Sequence, residues 1–200
     1  LCKIGEESYY KTIEQTALTT KNPTVQANAA MILGKLGKKE ALPVLYKIKD
    51  SADSTNAAAF NATEAIARIG DEKIYKKIWT MLISVYADDR YMGAHAMAAF
   101  GGSRGANALI TMLDDEIAEV RLIAAERLAT LGDKSGKIVV LDYLNSPAPE
   151  DKVVANRCNV IAALAIGQIG GEQLKAYLPK LLKSDSAFTQ LAAAKSILLL

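Results

Sequence analysis

The sequence is poor in the residues from which reaction centres are usually built. Its 200 residues include one histidine, two cysteines and one tryptophan, and aromatic residues make up only 6%. A lone imidazole, His95, cannot supply a multi-histidine metal centre. Cys2 and Cys158 permit at most one intrachain disulfide, a count that neither requires nor excludes an oxidising compartment. Neither has a histidine near it in sequence, and Cys158 falls on an inward position of the pattern described below, so it reads as a buried structural thiol. No stretch approaches eighteen consecutive apolar residues, which excludes an expected transmembrane helix, and Leu198 to Leu200 is too short to anchor the chain. A start at Leu1 reads as a processed or trimmed chain and leaves open both a cytoplasmic location and export after removal of an unseen signal.

Charge of one sign is also missing. The formal net charge is only +2. Residues 1–50 carry eight basic and five acidic side chains, residues 101–150 five and eight, and residues 151–200 six and three. A long phosphate-binding groove should be basic along its length, so the acidic middle disfavours a duplex laid across the chain. What is abundant is apolar surface, at 50% of residues, enough for a continuous buried layer without metal or disulfide.

That apolar content is organised as a repeat. Five segments end alike: VQANAAMILGKLG at 25–37, AAFNATEAIARIG at 58–70, DRYMGAHAMAAFG at 89–101, VRLIAAERLATLG at 120–132 and CNVIAALAIGQIG at 158–170. Four residues before the closing glycine stand Leu33, Ile66, Met97, Leu128 and Ile166, and one before it Leu36, Ile69, Phe100, Leu131 and Ile169. This spacing stacks apolar side chains on one helix face. Small residues recur eight before it (Ala29, Ala62, Gly93, Ala124, Ala162) and three before it (Gly34, Ala67, Ala98, Ala129, Gly167), where they allow neighbouring helices to approach closely. The closing glycine suits the left-handed conformation that stops a helix.

A second helical pattern follows each stop, over about 39–49, 72–86, 105–113, 135–144 and 172–182, and a further helix is expected over 6–18. Pro43 lies early enough in its helix to be tolerated, whereas Pro179 lies late enough to bend or end one. Polar breaks such as Asn22-Pro23, Asp114-Asp115 and Ser184-Asp185 supply caps. The final segment, 188–200, follows the pattern but has Leu200 where the glycine is expected; it reads as a terminal cap or a truncated copy, with Ile197, Leu198 and Leu200 exposed unless something covers them.

The pattern resembles the HEAT-like repeat superfamily, above all the short repeats of the phycobilisome-lyase type. The copy at 114–144 carries the resemblance most fully, through Asp115, Val120, Arg121, Ala124, Ala125, Leu128, Leu131, Gly132 and Asp133, and a weaker match extends over nearly all of 22–200. The family arginine is kept at Arg90 and Arg121 but replaced by Gln26, Ala59 and Asn159. The resemblance implies an all-α, right-handed α-α superhelix, here one domain over 1–200 of about five helical pairs plus a terminal capping helix or truncated sixth repeat. The superfamily includes protein-binding scaffolds, chromophore lyases, iron-dependent hydroxylases and base-removing DNA repair enzymes, so the fold alone selects no activity. The diiron branch needs repeated His-Glu pairs, and His95 is followed by Ala96.

Six residues before the closing glycine, Glu64, His95 and Glu126 occupy one register in successive copies. They read as a hydrogen-bonded or solvated ladder more readily than as metal ligands, because adjacent helix axes are about 8–10 Å apart. With Arg68, Arg90, Tyr91 and Arg127 they make a mixed charged and aromatic face that suits a protein or peptide partner. The bland alternative gives each repeat-break arginine an aspartate partner, Arg90 with Asp88 and Arg121 with Asp115. The Lys73, Lys76, Lys77, Tyr75 and Trp79 group fits nucleic acid on paper, but its spacing equally describes an amphipathic helix with Trp79 as packing. The GGSRG stretch at 101–105 lacks the strand and Lys-Ser/Thr ending of a phosphate loop and reads as a helix break. No catalytic residue, cofactor or metal is expected. The reading is a noncatalytic protein-interaction scaffold or adaptor acting through the inner face. Nucleic-acid binding or base excision, a chromophore-lyase-like role and a structural segment of a larger repeat protein stand as alternatives.

Overall fold

A computed structural model describes residues 7–200, with side chains from Tyr9 onward. Cys2 and the first residue of the expected 6–18 helix lie outside the described residues. The described chain is all α, with helices packed in neighbouring pairs, and its contacts divide it into two compact units, Leu1–Met81 and Leu82–Leu200.

In the first unit α1 (Glu7–Thr19) packs against α2 (Pro23–Leu36) and α3 (Leu42–Asp50), and α4 (Asn56–Ile69) packs against both α2 and α3. Asn22 starts α2 by accepting from the Thr24 and Val25 amides, and Gly37 ends it at φ 71°, ψ 14°, with its amide bonded back to Leu33 and Gly34. Pro43 sits in the first turn of α3, where its missing N–H costs nothing. The core follows the repeat register: Leu33 and Ile66 are fully buried, as is Ala62, while Gly34 lets α4 come so near that a Cβ there would lie 2.6 Å from the Ala65 Cα. The unit closes with a 3-10 turn at Glu72–Ile74 and α5 (Tyr75–Leu82), whose last residue falls in the second unit.

The expected helix over 72–86 is therefore too long. The chain turns after Leu82, and Val85, placed by the pattern on an inward face, is 83% exposed. Arg90 holds that turn by donating Nη1 to the carbonyls of Ser84 and Val85, while Ser84 Oγ bonds Asp89 Oδ2 at 2.7 Å. Helical spacing says nothing about such side-chain claims on backbone carbonyls.

The second unit continues with α6 (Ala87–Phe100), α7 (Gly102–Thr111), α8 (Ala118–Thr130), α9 (Lys137–Asn145), α10 (Lys152–Ile169), α11 (Glu172–Lys175), α12 (Leu178–Leu181) and α13 (Ala187–Ile197). Helix α8 packs between α6 and α10, and α13 packs on α10; α7, α9 and α12 pair with these helices. Met97, Leu128 and Ile166 are fully buried at the expected register. Pro179 breaks the expected 172–182 helix into α11 and α12, because it has no N–H for the Lys175 carbonyl and its ring crowds that group. The glycine pair Gly101-Gly102 separates α6 from α7 as a helix break.

The last copy is offset by one residue from the alignment that places Leu200 at the glycine. A Cβ at Gly167 would lie 2.8 Å from the Ser196 Cα, just as one at Gly34 would crowd Ala65. Ser196 therefore holds the place of Ala65, and the fully buried Ala193 and Thr189 those of Ala62 and Ala58. Without a glycine, the apolar run Ile197–Leu200 offers no register mark. Phe188, Leu191 and Leu198 remain strongly exposed, as does Ile197 in part.

Candidate binding face

Helices α6 and α8 bring four of the expected site residues together. Tyr91 and His95, one turn apart on α6, place their rings 4.9 Å apart at a tilt of 54°. Glu126 and Arg127 project from α8, with Arg127 Nε 2.7 Å from Glu126 Oε2. The N–H is not aimed at that oxygen, so the pair is an ion contact without a hydrogen bond, and both atoms are buried with no hydrogen-bond partner among the described residues. Only 5% of the Glu126 side chain is exposed, against 27% for Arg127.

Burial sets the electrostatics here. It pushes the Glu126 carboxyl above the usual carboxylate range, with Arg127 and Lys195 pulling the other way. It lowers the His95 imidazole to about 3, assisted by the Arg127 charge, so His95 is neutral at physiological pH. Burial likewise raises Tyr91, with Glu119 contributing. The one-residue offset brings Lys195 into the Glu126 register, a link hidden in the sequence by the missing glycine. Arg157 of α10 extends the face through a 3.0 Å ion pair with Glu119.

Glu64 and Arg68 form an i,i+4 ion pair on α4 in the first unit, at 2.5 Å and partly exposed. Arg90 is 7% exposed and committed internally: Nε and Nη2 bond the two Asp115 oxygens at 2.7 and 3.0 Å, and Nη2 reaches Glu116. The expected Arg90–Asp88 pair is thus replaced by a pair reaching 25 residues along the chain. Arg121 meets Asp115 and Glu116 only through their backbone carbonyls, because Arg90 already occupies the Asp115 carboxylate. Cys158 is fully buried, and burial raises its thiol to about 11, as a structural cysteine requires. Trp79 is not core: it is 38% exposed and stacks on Tyr75 at 6.4 Å. Of Lys38, Lys39, Lys47 and Lys49 in the first unit, Lys38 lies over the Tyr10 ring at 4.5 Å and Lys49 over Tyr46 at 5.5 Å, while Lys39 and Lys47 are exposed.

Among the described residues no three His, Cys, Asp or Glu side chains are grouped to hold a metal ion, and no helix is long and apolar enough to cross a membrane. The family model described as HEAT repeats matches residues 10–89. No curated protein matches the sequence. Among solved structures, the complex of CpcE and CpcF of phycocyanin lyase from Nostoc sp. PCC7120 is similar, with a TM-score of 0.58, 17% identity, and coverage of 94% of this chain and 75% of that one. Human deoxyhypusine hydroxylase in complex with glycerol aligns at a TM-score of 0.44 and 15% identity, over 95% and 83% of the two chains. At 17% identity, the likeness to the lyase complex speaks to fold alone. With HEAT repeats matched at 10–89 and paired helices continuing to the last copy, the described chain has an all-α HEAT-like repeat fold.

Proposed function

We propose that this repeat protein is a noncatalytic scaffold that binds a protein or peptide partner through the face carrying Tyr91, His95, Glu126 and Arg127, with Glu64 and Arg68 as a separate contact on the first unit. The observation that supports this reading most directly is the buried Glu126 carboxylate, whose Oε2 has an ion contact to Arg127 but no hydrogen bond. A buried ion contact without a hydrogen bond is costly, and because Oε2 is itself buried a partner would recover part of that cost through the part-exposed Arg127 guanidinium. Arg127 is exposed enough to turn toward a partner, and the Tyr91 and His95 rings offer contact area with few rotatable bonds. Arg90 is left out of the contact set because its donors are consumed inside the fold.

The test is capture from the native organism's lysate with the parent chain and a folded Tyr91→Ala/Arg127→Ala variant. A captured protein is then purified and titrated against both forms. Loss of about 2 kcal/mol or more of binding in the variant supports the face, since arginine and tyrosine anchors typically carry that much. Equal affinity of parent and variant, or retention of nucleic acid alone, would overturn it.

A further inference from the structure

Two features outside that face complement each other. The first is a groove of about 570 Å³ in the second unit, formed by α8, α9, the turn that ends α7 and the loop after α9. Its apolar lining includes Leu113, Ile138, Val139, Pro147 and Pro149, and Ile138 is 67% exposed. Asp114 and Asp142 stand on it, exposed and with no side-chain ion pair or hydrogen bond. Asp115, also at the groove, is neutralised by Arg90, and Arg121 keeps its positive charge on the groove wall while donating to backbone carbonyls, so Asp114 and Asp142 outnumber it by one. Two free carboxylates over an apolar floor are thus left to meet a partner.

The second feature is the outer face of α5. Lys73, Lys76 and Lys77 are exposed and enter no ion pair, and Trp79 stands half-open beside them on its Tyr75 stack. Lys76 and Trp79 lie three apart on α5, and Lys73 sits in the 3-10 turn that leads into it. Across the sequence, Leu1–Met81 carries twelve basic and nine acidic side chains, while Leu82–Leu200 carries twelve and thirteen. The cationic surplus and the acidic groove therefore lie in different units of one chain.

We propose that the acidic groove receives the Lys73/Lys76/Trp79 face of a second copy of this chain. Trp79 supplies an aromatic side chain for the apolar floor, and the two lysines reach Asp114 and Asp142. The contact joins two different surfaces, so it repeats head to tail or is made twice in a reciprocal pair. Paired exposed charges make it sensitive to salt. It rests on none of the residues of the partner-binding face.

Sedimentation velocity of the full chain over a concentration series at low and high salt tests this. The expected result is a sedimentation coefficient that climbs with concentration and falls back with added salt. Asp114→Lys/Asp142→Lys and Lys73→Ala/Lys76→Ala/Trp79→Ala should each be monomeric, with circular dichroism confirming that both are helical. Mixed, they should form a complex that stops at one copy of each, because the first variant keeps its α5 face and the second its groove. A parent chain that stays monomeric overturns the proposal. So does self-association that survives in both variants, which would place the contact elsewhere, for example on the exposed Phe188/Leu191/Leu198 stripe. Nucleic-acid binding lost in the α5 variant of a monomeric parent would reassign that face and overturn it equally.

Discussion

Replacing Arg90 by methionine should unlatch the turn between α5 and α6 and weaken the second unit. The guanidinium holds Asp115 through two bonds, and the carbonyls of Ser84 and Val85 through two more. The Arg90 and Asp115 side chains are 9% and 6% exposed. Breaking a deeply buried pair costs roughly 3–5 kcal/mol because the surviving charge is stranded. This pair lies shallow, beneath a Glu116 side chain that is 79% exposed, so water screens part of the penalty. A loss of about 2–3 kcal/mol follows, equivalent to a fall of roughly 5–10 °C in the melting temperature of a chain this size. Guanidinium titration of parent and variant measures it. Since repeat arrays need not unfold in one step, the loss should appear in only one transition if the two units separate. A double-mutant cycle of Arg90→Met with Asp115→Asn should show coupling above about 1 kcal/mol, and one with Asp88→Asn almost none. A destabilisation below about 0.5 kcal/mol, the range of ordinary surface changes, would refute the latch.

His95 has its folded-state value depressed to about 3 by burial and Arg127, so its contribution to stability is complete above its ordinary value of 6.5 and is lost as pH falls from 6.5 toward 3. His95→Gln should flatten that part of the stability-against-pH curve, and an unchanged slope would contradict the assignment. Glu126 has the opposite sign: its raised value favours the folded state below 4.5 and withdraws that support as pH rises through the folded value. Glu126→Gln should therefore raise the denaturation midpoint at pH 7, with the gain shrinking in acid; a lower midpoint would mean that the Arg127 contact outweighs desolvation. Gly34→Ala places a methyl 2.6 Å from the Ala65 Cα, and overpacking of about 1–3 kcal/mol should outweigh a helix-propensity gain of about 1 kcal/mol. A midpoint equal to or above the parent's would show that α2 and α4 separate without cost.

The sequence by itself determined the helical pairs and their core. Leu33, Ile66, Met97, Leu128 and Ile166 recur at one offset from a glycine, and all five are fully buried, because i,i+3/i+4 spacing and a left-handed stop act within a single helix. His95 and Glu126 share one offset in the sequence, six before the closing glycine, whereas Tyr91 meets His95 from one turn earlier on α6. Only the tertiary structure decided which partners the long side chains chose. Arg90 reaches past the nearby Asp88 to Asp115, and Arg121 settles for carbonyls, because a buried guanidinium takes whichever oxygens the fold places in its plane. The register of the last copy was likewise a tertiary decision, made where Ser196 seats against Gly167, since a run of apolar residues fits a helix face at more than one offset. Local periodicity is a property of one helix and can be read from its own residues; side-chain pairing and close approach depend on two helices at once.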